Sequence, residues 1–99
     1  MLIINKEAVE TTLTMSLEGR LDTGSAPQLE AELKHAIAGV ERLIFDLKAL
    51  EYTSSAGLRV LLSAQKVMNK QGEMVIRNVN EDIMEVFEIT GIADLLTIE

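Results

Sequence analysis

Cysteine and tryptophan are absent from this 99-residue chain, proline occurs once and histidine once. Without cysteine there is no disulfide framework, no thiol nucleophile and no thiolate metal site. Only Phe45, Tyr52 and Phe87 are aromatic, so the core has to be aliphatic. No apolar run approaches the roughly 18 residues that a membrane span needs, and Met1-Leu2-Ile3-Ile4-Asn5-Lys6 turns polar too soon for a signal peptide. A cytoplasmic protein is the expectation. Basic residues are also scarce: nine Lys and Arg stand against sixteen Asp and Glu, for a formal net charge of −7. Such a chain is repelled by a nucleic-acid backbone and by acidic surfaces; a basic protein partner is acceptable, although charge alone selects none.

The chain does have an ordinary apolar fraction, 47%, which argues against disorder. Its length allows one core, so a single domain over residues 1–99 is expected. Leu2–Ile4 reads as a first strand. Thr12–Glu18 alternates polar and apolar residues, the pattern of a half-buried strand, and Gly19 ends the alternation. Arg20–Ser25 follows as a loop, with Ser25 placed to cap a helix and Pro27 suited to its first turn. Leu29, Leu33, Ala36 and Ile37 share one face of that helix, which Gly39 stops. Val40 and Arg42–Leu47 form a nearly continuous apolar run, as in a strand covered on both sides, and Lys48–Thr53 is expected to turn the chain. A second helix spans about Ser55–Gln71, with Leu58, Leu61, Leu62, Gln65 and Met68 inward and Gly72 closing it. Met74–Ile76 is a further strand. Asn80 or Asp82 starts a third helix carrying Ile83, Met84, Phe87 and Ile92 or Leu95, and Leu95–Ile98 is a candidate edge strand.

The order β-β-α-β-α-β-α-β implies an α/β fold: a mixed sheet of four to five strands with right-handed crossovers. Sites in open sheets gather at the carboxyl ends of strands. The loops around Gly19–Ser25 and Lys48–Ser55 both follow strands, and parallel neighbours would bring them to one edge.

Catalytic and metal constellations are weak. The lone histidine, His35, lies mid-helix, and the glycine-flanked serine of a nucleophile elbow is missing. Glu30 and Glu32 sit where solvated charges belong, and Glu81, Asp82 and Glu85 crowd a helix start that favours acids. No glycine-rich phosphate loop is present. What stands out is Thr53-Ser54-Ser55-Ala56-Gly57-Leu58-Arg59 at the entrance to the second helix. A hydroxyl there caps the helix; it is also a place where added phosphate, roughly −1.5 to −2 charges, is electrostatically tolerated.

Those residues carry a resemblance. Gly19-Arg20-Leu21-Asp22, Leu43–Leu47, Tyr52–Leu58 and Gly72-Glu73-Met74 make essentially the whole chain similar to STAS domains of the bacterial anti-sigma factor antagonist type. The resemblance implies a phosphoprotein of transcription regulation and signal transduction, not an enzyme and without a cofactor or metal. It would bind an anti-sigma factor serine kinase, which carries the ATP, and be released on phosphorylation; a cognate phosphatase fits the same scheme. Alignment on Gly57 and Leu58 puts the phosphorylated serine at Ser55, with Ser54 as the alternative acceptor. Ser54 occupies a position where the family has Asp, and Arg20 replaces the family's Glu. Partner contacts are expected from Asp22 and Thr23 on one loop, and from Thr53, Ser54, Ser55, Gly57 and Arg59 on the other. The alternative is an unphosphorylated STAS scaffold or regulatory subunit of a transporter or other signalling complex. A weak nucleotide hydrolase using Asp22 and Ser55 is a third reading.

Overall fold

The computed structural model describes residues 1–99. Four strands, β1 (Leu2–Val9), β2 (Thr12–Leu21), β3 (Arg42–Thr53) and β4 (Glu73–Arg77), lie side by side in that order. β1 pairs with β2 antiparallel, and β2–β3 and β3–β4 are parallel. Helix α1 (Ala26–Ala36) joins β2 to β3, α2 (Ser55–Gln71) joins β3 to β4, and α3 (Glu81–Ile89) follows β4. Each crossover steps the same way across the sheet, so right-handedness places the helices on one face. Accordingly Leu29 and Leu33 of α1, Leu58, Leu61 and Met68 of α2, and Ile83 and Phe87 of α3 share one core with Met15, Leu43, Phe45 and Ile76. Ile44 and Val75, partners across β3 and β4, are buried on the opposite face. The mixed sheet and the aliphatic core are thus as the sequence implied.

Several boundaries differ. Gly19 does not end β2; it takes φ +97° inside the strand, where a side chain would strike the Met1 carbonyl oxygen at 2.3 Å. Lys48–Thr53 is not a turn but the second half of β3. There the buried residues are Leu47, Leu50 and Thr53, spaced by three rather than two. The pairing explains the spacing. From Ser16–Asp46 to Glu18–Ala49, and again from Gly19–Leu50 to Arg20–Tyr52, β3 advances one residue more than β2. Each bulge absorbs a residue and returns the next apolar side chain to the core.

On α2, Gln65 and Leu62 are half-exposed, and Val60 and Ala64 are buried instead. Asn80, rather than Asp82, begins α3, its Oδ1 accepting from the Ile83 N–H at 2.8 Å. The expected edge strand Leu95–Ile98 shrinks to a single parallel bridge between Ile98 and Ile76. Gly91 at φ +79° ends α3 and starts a 3₁₀ turn, Ile92–Asp94, so the chain regains the sheet only at its last residues.

Candidate functional site

The parallel pairing of β2 and β3 brings both suspected loops to one edge, and a backbone bond joins them: the Ser54 N–H donates to the Leu21 carbonyl at 2.9 Å. On the β2 side, Asp22 and Ser25 lock each other. The Ser25 N–H donates to Asp22 Oδ1 at 3.0 Å, and the Asp22 N–H donates to Ser25 Oγ at 2.9 Å. The one Ser25 hydroxyl proton is shared between the Arg20 carbonyl at 2.8 Å and Asp22 Oδ1 at 3.1 Å. With its hydroxyl so engaged, buried Ser25 makes no side-chain cap to α1, contrary to the sequence expectation. Pro27 does sit in the first turn of α1. The Ser25 N–H and hydroxyl, helped by the Gly24 N–H, hold the Asp22 carboxyl below the usual carboxylate range.

The β3 side is shaped by three small residues. Ser54 caps α2, its Oγ accepting from the Gly57 N–H at 3.4 Å, a long bond. Ser55 is the first residue of the helix; it is exposed, and its hydroxyl has no hydrogen-bond partner in the protein. Gly57 is buried because the helix start presses on the strand ends. A methyl group there would lie 2.6 Å from both Leu21 Cγ and Thr53 Oγ1. Thr53 is buried beneath, and its hydroxyl donates to the Ser54 carbonyl at 3.3 Å.

Between the starts of α1 and α2 runs an open groove of about 270 Å³ that includes Thr23, Pro27, Ala56 and Arg59. Thr23 and Arg59 are exposed, and Arg59 forms no ion pair. The structure therefore gathers Asp22, Thr23, Thr53, Ser54, Ser55, Gly57 and Arg59 at one edge of the domain. Sequence reasoning missed two features beside them. Ser25 is the lock on Asp22, for which Asp-x-x-Ser spacing was the available signal. Tyr52 lies under the Arg20 guanidinium, 4.2 Å from ring centroid to Cζ, a cation–π stack across β2 and β3. No spacing rule shows that pair, because a bulge sets its register.

Chemically this edge presents a free hydroxyl on a helix N-terminus, a half-exposed carboxylate and exposed guanidinium groups. It lacks a base beside Ser55, and His35 is exposed on α1. No group of three or more His, Asp or Glu side chains converges as metal ligands. No helix is long and apolar enough to cross a membrane.

Comparison with known proteins places this geometry. An anti-sigma factor antagonist candidate of Bordetella bronchiseptica, BtrV, is 37% identical over 97 residues, covering 96% of this chain and 84% of its own. Among solved structures, an anti-sigma factor antagonist from Mycobacterium paratuberculosis superposes with a TM-score of 0.90 at 21% identity, over 99% of this chain and 85% of that one. The Bacillus cell fate determinant SpoIIAA, solved in its phosphorylated form, gives 0.77 at 21% identity over 98% and 91%. Residues 4–99 match the STAS domain family, and the chain belongs to it.

Proposed function

We propose that this protein is an anti-sigma factor antagonist that works by partner switching, with Ser55 as its phosphorylated residue. Unphosphorylated, it docks an anti-sigma factor serine kinase through the edge formed by Asp22, Thr23 and the start of α2; phosphate on Ser55 ends the docking. The relatives' names support the class, and one observation supports the residue. Of the two adjacent serines, Ser54 is committed to the helix cap while the Ser55 hydroxyl is exposed and unpartnered. Ser54 caps α2 where the family has Asp, and Ser and Asp cap helices about equally well.

Phosphate at the first turn of α2 is compatible with the fold, because the helix N-terminus stabilises negative charge by roughly 0.3–1 kcal/mol. It is incompatible with an interface that buries Ser55. An uncompensated charge taken from water costs several kcal/mol, and each ~1.4 kcal/mol is tenfold in affinity. The switch thus acts on the partner's surface and leaves the domain intact. The kinase brings the nucleotide, so the chain itself needs no catalytic group.

Incubation with the cognate kinase and ATP, followed by mass-spectrometric site mapping, tests the reading. Phosphate is expected on Ser55, with none incorporated by Ser55→Ala. Undiminished labelling of that variant would overturn the assignment.

A further inference from the structure

A second surface, remote in sequence from the Ser55 edge, lies on α3. Ile83 and Phe87 face the core, and the residues at i, i+3, i+4, i+7 and i+8 of the outer face are Glu81, Met84, Glu85, Glu88 and Ile89. With Val79 they line a shallow groove of about 400 Å³. Ile89 is 76% exposed, although it is a large aliphatic at the groove's end. None of the carboxylates on α3 is ion-paired. After Arg77 the chain has no Lys or Arg, so residues 78–99 hold −6 of the formal net charge of −7.

Local helix chemistry explains only part of this charge. Glu81 and Asp82 in the first turn are favoured by the helix dipole. Glu88 falls in the last turn, where the dipole opposes it, and no basic residue there offsets it. Glu81 and Glu85 repel at i,i+4, as do Glu85 and Glu88 at i,i+3. The helix tolerates this crowding around exposed Ile89 and the half-buried Met84 and Val79, which pack against the core on their inner sides. A cation-bearing partner would relieve the repulsion and cover Ile89 together.

We propose that the α3 groove docks a protein segment presenting Lys or Arg side chains around an aliphatic residue, at a site separate from the Ser55 edge. Aliphatic contacts to Met84 and Ile89 would hold the segment, and Glu81, Glu85 and Glu88 would select and steer it.

The test titrates the ¹⁵N-labelled protein with a helix-forming peptide carrying a leucine stripe flanked by lysines, and with a scrambled peptide of the same composition. Amide shifts should be confined to residues 79–89, with the scrambled peptide weaker. Glu85→Lys/Glu88→Lys should weaken binding roughly tenfold or more. Ile89→Ser should also weaken it, and its exposure makes it safe for folding. Absent binding, shifts centred on Thr23 and Ser55–Arg59 or spread over the surface, equal binding of the scrambled peptide, or undiminished binding by both variants would each overturn the proposal. Because the groove shares no residue with the Ser55 edge, failure here leaves the phosphorylation reading standing, and the converse holds.

Discussion

Ser54 and Ser55 are neighbours with different jobs, and the difference is a matter of which hydroxyl the backbone uses. Ser54 Oγ satisfies an otherwise orphaned helix N–H. Ser54→Ala should therefore destabilise the domain by about 0.5–2 kcal/mol, towards the lower end because the bond is long, whereas Ser54→Asp should keep the cap. Urea unfolding of the two variants checks this, and Ser55→Ala should unfold with wild-type. At Gly57 the argument is steric: Gly57→Ala drives a methyl into Leu21 and Thr53, at a cost of about 1–3 kcal/mol by the same measurement. Asp22 adds a pH dependence. Its folded pKa lies below the ordinary value because Ser25 and Gly24 donate to the carboxylate. A depressed carboxyl stabilises the fold above the unfolded pKa of about 3.9, and loses that contribution as pH falls through the lower, folded value. The stability gap between wild type and Asp22→Asn should be full at neutral pH and close as the pH drops below about 4, followed by unfolding midpoints across that range.

At the scale of elements, β3 decides where the site lies. Its two bulges keep Leu47, Leu50 and Thr53 inward along a stretch whose sequence does not alternate. They also carry the strand far enough to deliver Ser54 beside Leu21. Inserting one residue between Ala49 and Leu50, just past the first bulge, shifts the register by one and turns Leu50, now 1% exposed, to the solvent face. Loss of one buried leucine alone costs about 1.5–3 kcal/mol, and the register beyond it fails too. Circular dichroism and denaturant titration should show a less cooperative, less stable protein. Asn80 reinforces the same region: it caps α3 and donates to the Leu50 carbonyl at 3.0 Å, fastening that helix to the bulged strand.

For the whole molecule, charge is the governing quantity. Of the net charge of −7, −6 falls after Arg77, and Glu81, Asp82, Glu85 and Glu88 of α3 carry most of it. Association with a basic partner should be steered by that field and slow as salt shortens its reach, to about 8 Å at physiological ionic strength. Stopped-flow association rates should fall steeply between low and physiological salt, with dissociation rates changing less. A rate indifferent to salt would show that the acidic α3 does not face the partner.

The amino-acid sequence by itself determined the β/α order, the aliphatic core and the acidic character, because each is written in local periodicity or composition; Ser55 is singled out only through the resemblance to STAS domains. That a hydroxyl caps α2 is likewise local chemistry, while the choice of Ser54, and of Asn80 over Asp82, comes from the structure. Only the tertiary structure decided that Lys48–Thr53 is strand, that Ser25 serves Asp22 instead of capping α1, and that Leu95–Ile98 narrows to one bridge. The physical reason is common to these cases. A strand's register, a bulge and a buried hydroxyl's choice of partner depend on groups brought together across the sheet, and no single segment encodes its neighbour's position.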